Sequence, residues 1–125
     1  MISIKLIPQI DIKIFGTRDF VQKGKAQEVD YQEAKKAFKE GSKSAKSGQY
    51  DMVVFDELNV ALDFELLELQ QVIDFLDRKP EGVEIIITGR NAKQEIVDRA
   101  DLVTEMLEIK HPYQKGIHAR IGIEY

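Results

Sequence analysis

Residues 50–59 read Tyr50-Asp51-Met52-Val53-Val54-Phe55-Asp56-Glu57-Leu58-Asn59. Four apolar residues run without a break and stop at two acids. A short unbroken apolar run is the pattern of a strand buried on both faces in a parallel sheet. In such sheets ligands bind beyond the carboxyl ends of the strands, and acids placed there suit a Mg²⁺-nucleotide site. The usual companion of that strand is a G-x-x-x-x-G-K-[ST] phosphate loop. No such loop occurs in the 125 residues.

Outward from this strand the chain alternates strands with helices. Upstream, Ile2, Ile4 and Leu6 share one side of a first alternating run, and Ile10, Ile12 and Ile14 share one side of a second. Alternation predicts half-buried strands at 2–7 and 10–15. Residues 16–29 read as a polar loop. A helix is expected from Asp30, where Asp30 and Glu33 form a capping-box pattern, with Tyr31, Ala34, Phe38, Gly41 and Ala45 as its apolar stripe and Gly48 as its stop. Lys35, Lys36, Lys39, Lys43 and Lys46 lie around the rest of that helix, either as a solvated face or as an anion-binding one. Downstream, a helix is expected over 66–78, with Leu66, Leu69, Val72, Ile73 and Leu76 inward and Pro80 beyond it. A strand follows at 83–88. Asn91 can cap a short helix carrying Ile96 and Val97, and residues 102–109 read as a last strand. Repeated strand–helix units imply an α/β domain spanning residues 1–125, with a mainly parallel sheet of about four to five strands and helical crossovers.

Composition narrows the function classes. A net charge of −4 argues against a nucleic-acid partner. With no Cys, disulfides and thiolate metal sites are excluded. His111 and His118 are too far apart for a helix-face metal pair, and no G-x-S-x-G pattern supports a Ser nucleophile. No apolar run reaches membrane-span length and no signal peptide is evident, so a cytoplasmic protein is expected.

The residues that remain for chemistry sit at the expected strand ends. Asp56 and Glu57 suit Mg²⁺, which takes one or two carboxylates and completes its shell with phosphate oxygens and water. The same pair can equally solvate a loop. Thr88, Gly89, Arg90 and Asn91 end the next strand. There Gly89 allows close backbone approach, and Arg90 offers either a phosphate fork or a structural ion pair.

Beyond these motifs the chain resembles the ATP:corrinoid adenosyltransferases of the P-loop type. The resemblance rests on Tyr50–Leu62, on Thr88-Gly89-Arg90-Asn91-Ala92 and on Ala100–Met106. It closes on Lys110-His111-Pro112-Tyr113, Lys115-Gly116-Ile117 and Gly122-Ile123-Glu124-Tyr125. Weaker similarity reaches back to Leu6-Ile7-Pro8 and Phe15-Gly16. The resemblance implies transfer of the 5′-deoxyadenosyl group of ATP to the cobalt of a reduced corrinoid, with Co(I) as nucleophile. The protein then supplies no catalytic nucleophile, only positioning, Mg²⁺ and a dry pocket. It implies Glu57 and Asp56 as the Mg²⁺ carboxylates and Thr88, Gly89, Arg90 and Asn91 at the nucleotide. It places Phe20 and Asn59 at the corrinoid, with Gln22 where relatives often carry a second aromatic.

The matching stretches correspond to the later part of a family member. The resemblance implies that the strand, phosphate loop, helix and second strand with which the family begins have no counterpart here, so the fold is expected to be P-loop NTPase-like but N-terminally truncated. ATP binding by this chain alone is expected to be weak or lost, leaving the enzyme impaired. The alternative is a non-catalytic module that binds a corrinoid or a partner. Consecutive pairing of the strands would put every helix on one face of the sheet. The other face would stay bare and apolar, so self-association, or docking of a separate phosphate-loop-bearing segment, is expected.

Overall fold

The computed structural model describes residues 7–17 and 20–119. Its longest element is α1, Glu28–Lys46. The start is set by Asp30, whose Oδ2 accepts from the backbone N–H of Gln27 at 2.8 Å. Asp30 is thus the third helical residue and not the cap, because Glu28 and Val29 are already in the first turn. Glu28 and Asp30 near the start and Lys43 and Lys46 near the end complement the helix dipole. The chain leaves α1 through Ser47 and Gly48, the latter at φ 69°. The expected stripe faces inward: Ala45 is buried, and Ala34 and Phe38 pack against the core. Gly41 lets α1 approach the sheet, since a Cβ there would run into the Phe55 ring.

Two strands pair in parallel, β1 (Met52–Phe55) and β2 (Glu84–Ile87), with Met52 opposite Glu84 and Phe55 opposite Ile87. Between them lie α2 (Leu58–Asp63) and α3 (Leu69–Leu76). After β2 comes the single turn α4 (Gln94–Val97). The core forms on the side of the sheet that carries Val53, Phe55, Ile85 and Ile87. Phe38, Phe55 and Phe75 meet there with ring centroids 5.6–5.7 Å apart. Val72 is fully enclosed, and Leu58, Leu62, Leu67, Ile73, Val83 and Ile96 complete the cluster.

The other side of the sheet is bare. Met52, Val54 and Ile86 are 50, 53 and 40% exposed. The one-sided covering expected from consecutive parallel strands is therefore present in these two.

Several expectations need correction. The helix expected over 66–78 is shorter, and a separate helix, α2, precedes it. The break falls at Glu65, which is left-handed at φ 60°. Glu65 N–H reaches Leu62 O at 3.2 Å and Leu66 N–H reaches Ala61 O at 2.9 Å, the paired bonds of a Schellman stop. Asn91 does not cap α4; Lys93 occupies that position.

Residues 10–15 and 102–109 are not strands, so the sheet among the described residues has two strands rather than four or five. Among the described residues neither segment has a strand beside it to close a ladder. Residues 10–17 are held instead by side chains. Lys13 pairs with Glu40 at 3.1 Å, and Asp11 accepts from the Tyr50 hydroxyl at 2.7 Å. Gly16 N–H donates to Glu33 at 3.3 Å, and Ile14 stays 70% exposed. Residues 101–110 are exposed throughout. The run expected as a strand at 2–7 lies, but for Ile7, outside the described residues. Among the described residues no helix is long and apolar enough to cross a membrane.

Candidate functional site

At the end of β1 the chain turns through Asp56 and Glu57 straight into α2. Glu57 takes the left-handed conformation, φ 60° and ψ 21°. For a residue with a Cβ this costs about 1–2 kcal/mol, and such strain persists only where neighbours over-determine it.

Thr88, the residue after β2, is that neighbour. Its hydroxyl donates to Asp56 Oδ1 at 2.7 Å and accepts from the Glu57 backbone N–H at 3.0 Å. Its own N–H bonds Phe55 O at 3.1 Å, and its carbonyl accepts from Asn59 N–H at 3.1 Å. One residue thus stitches the whole Phe55–Asn59 turn. Because the hydroxyl proton goes to Asp56, the hydroxyl has none left for a phosphate oxygen in this arrangement.

Gly89 and Asn59 tighten the same joint. Asn59 Nδ2 donates to Gly89 O at 3.2 Å, and the residue is only 6% exposed. Its Oδ1 is buried and has no hydrogen-bond partner. Gly89 sits at φ 114°, and a Cβ there would lie 3.2 Å from Asn59 Cβ and from Val60 N. The close approach expected of Gly89 is thus made to the protein's own turn.

The remaining expected site residues lie further out. Arg90 is exposed and pairs loosely with Glu108 at 3.5 Å. Asn91 is left-handed at φ 59°, and its Nδ2 donates to Asp63 Oδ2 at 3.0 Å. Phe20 is fully exposed on the loop before α1. His111 has a local role: its Nδ1 accepts from Tyr113 N–H at 3.1 Å and caps the short 3₁₀ turn Pro112–Lys115.

The sequence reading missed Asp63, the last residue of α2. Its carboxylate takes Lys23 at 2.7 Å, and Lys93 stands 4.0 Å away. The Lys23 hydrogen bond, then that of Asn91, holds the Asp63 carboxyl below its ordinary value. A lone acid inside Val60-Ala61-Leu62-Asp63-Phe64 was the available signal.

The chemistry on offer is a pair of adjacent, exposed carboxylates on a braced turn. Asp56 Oδ2 has no protein partner among the described residues, so the pair presents oxygen ligands outward. An all-oxygen set fits a hard divalent cation such as Mg²⁺. No group of three or more His, Cys, Asp or Glu converges as a metal cage among the described residues. A metal here would therefore complete its shell from substrate and water.

The sequence profile of the ATP:corrinoid adenosyltransferase BtuR/CobO/CobP family matches residues 2–125. A corrinoid adenosyltransferase from Sinorhizobium sp is 40% identical over 93 residues, 74% of this chain and 44% of that protein. Corrinoid adenosyltransferase CobA of Salmonella typhimurium is 31% identical over 116 residues, 93% of this chain and 59% of that protein. The corrinoid adenosyltransferase of Escherichia coli K12 is 32% identical over 98 residues, 78% of this chain and 50% of its own length. The chain thus spans about half the length of these relatives.

Proposed function

The chain belongs to the ATP:corrinoid adenosyltransferase family, and from that premise we propose that it carries the carboxylate half of a site that adenosylates a reduced corrinoid with ATP. In that reaction Co(I) attacks C5′ of ATP, the C5′–O bond breaks, and triphosphate leaves with the bonding pair. The protein's part is alignment and charge management.

The observation that supports this reading most is the braced Asp56–Glu57 turn. Glu57 is strained and Asp56 is oriented by Thr88, at the carboxyl end of parallel strands where ligands bind. Asp56 and Glu57 would hold a Mg²⁺, which when bound neutralises charge on the departing triphosphate. Arg90 adds an exposed positive charge on the loop after β2, and Gly89 and Asn91 shape that loop. Thr88 acts by fixing the carboxylate. Phe20 offers an exposed ring to the corrinoid face, and Asn59 holds the loop that borders it.

The fuller, P-loop NTPase-like sheet belongs to the same proposal. A further strand laid beside β1 would extend the ladder and bring a phosphate loop to the Asp56–Glu57 turn. Within these 125 residues no phosphate loop cradles the triphosphate, so the chain by itself should not retain ATP. Calorimetry with Mg-ATP tests this. No binding at micromolar concentration is expected, and tight stoichiometric binding would remove the division of labour proposed here.

A second reading is favoured by the bare sheet face. Met52, Val54 and Ile86 form an apolar strip suited to another protein surface. On that reading the chain is a non-catalytic oligomeric or partner-binding member of the family.

A further inference from the structure

Two loops carry the groups assigned to substrate, and neither of those groups is itself packed. Phe20 is fully exposed, and the Arg90 side chain is 83% exposed. The ion pair of Arg90 with Glu108 is long and solvated, the kind that contributes little. Asn59 holds the start of the Arg90 loop at Gly89, and the residues beyond it need a further hold.

Both loops converge on one carboxylate. Lys23, from the loop of Phe20, meets Asp63 Oδ1 at 2.7 Å. Asn91, next to Arg90, donates to Oδ2 at 3.0 Å, and Lys93 lies 4.0 Å from Oδ1. The Asp63 carboxylate is only 11% exposed although Lys23 is 59% exposed, so it is less solvated than either member of the Arg90 pair. An acid at a helix C-terminus is also on the unfavourable end of the dipole, so it needs such cations. The helix that carries it is fixed at its other end by Asn59 and through Leu62 in the core.

We propose that Asp63 is a positioning residue that anchors the Phe20 loop and the Arg90 loop to α2, setting the spacing between corrinoid and nucleotide contacts. This rests on the functional reading above for the roles of Phe20 and Arg90. Asp63 acts through the two loops. Lys23 fastens one loop and Asn91 fastens the other, so among the described residues the carboxylate joins both.

Amide hydrogen exchange on the chain as it stands tests the anchor. Asp63→Asn should speed exchange about tenfold in residues 20–27 and in residues 89–93, leaving β1 and β2 unchanged. Lys23→Gln should release residues 20–27 alone, and Asp63→Glu should restore both loops. The proposal is overturned if Asp63→Asn leaves either loop within about twofold of the parent. Should that variant not fold, Lys23→Gln decides, and unchanged exchange at 20–27 overturns the anchor. Titration with hydroxocobalamin separates the two layers. Weaker binding by Asp63→Asn, rescued by Asp63→Glu, supports a positioning role. A parent chain that binds no hydroxocobalamin removes the corrinoid reading, and the exchange pattern then judges the anchor alone.

Discussion

Thr88 shows how one side chain converts a strand end into a site. Its hydroxyl has one proton and two lone pairs. The proton goes to Asp56, and one lone pair takes the Glu57 N–H. Thr88→Val keeps the shape and deletes both bonds, so it should cost about 1 kcal/mol of stability and release the Asp56 carboxylate. Thr88→Ser keeps both bonds and should stay close to the parent. Urea unfolding of the two variants measures this, and equal midpoints would show that the hydroxyl does not brace the turn. Asp56 and Glu57 were legible as a pair from their place after an apolar run. The brace was not, because it joins residues 31 and 32 positions apart that meet only once β1 and β2 are in register.

At the scale of elements, α1, β1, β2 and the core face of α3 could be read from periodicity and from Gly48 and Pro80. The α2 helix could not. Its entry at Glu57 and its exit at Glu65 are both left-handed, and the sequence has Glu where Gly or Asn would have signalled a boundary. The strands expected at 10–15 and 102–109 failed for a different reason. An apolar pattern says where a segment can be buried, but a strand also needs a neighbour to complete its hydrogen bonds. Residues 10–17 found side-chain partners on α1 instead. The Schellman stop gives a direct test. Glu65→Gly removes a left-handed Cβ and should raise stability by about 0.5–1 kcal/mol. A destabilised Glu65→Gly variant in thermal or urea unfolding would mean that the Glu65 side chain supports the stop in some other way.

For the whole molecule the deciding fact is asymmetry. Helices cover one face of the two-stranded sheet, while Met52, Val54 and Ile86 stand open on the other. Fully burying a side chain of this kind is worth roughly 1.5–3 kcal/mol, enough in combination to offset part of the cost of association. The parent chain should therefore self-associate at tens of micromolar, and Val54→Lys should shift it toward monomer. Sedimentation equilibrium reads both. A parent chain that stays monomeric and soluble would show that its own remaining residues cover this face.

The central claim is that Asp56 and Glu57 form the metal-bearing half of an adenosyltransferase site. The most direct measurement uses this chain fused to the part of the Sinorhizobium relative that it does not span, where the family resemblance places the phosphate loop. The rate of cob(I)alamin adenosylation is then compared between Glu57→Gln and Lys43→Ala forms of the fusion. The fusion is expected to be active, with Glu57→Gln lowering the rate by about a hundredfold or more and Lys43→Ala leaving it nearly unchanged. Equal rates for the two variants would take Glu57 out of the site and contradict the account.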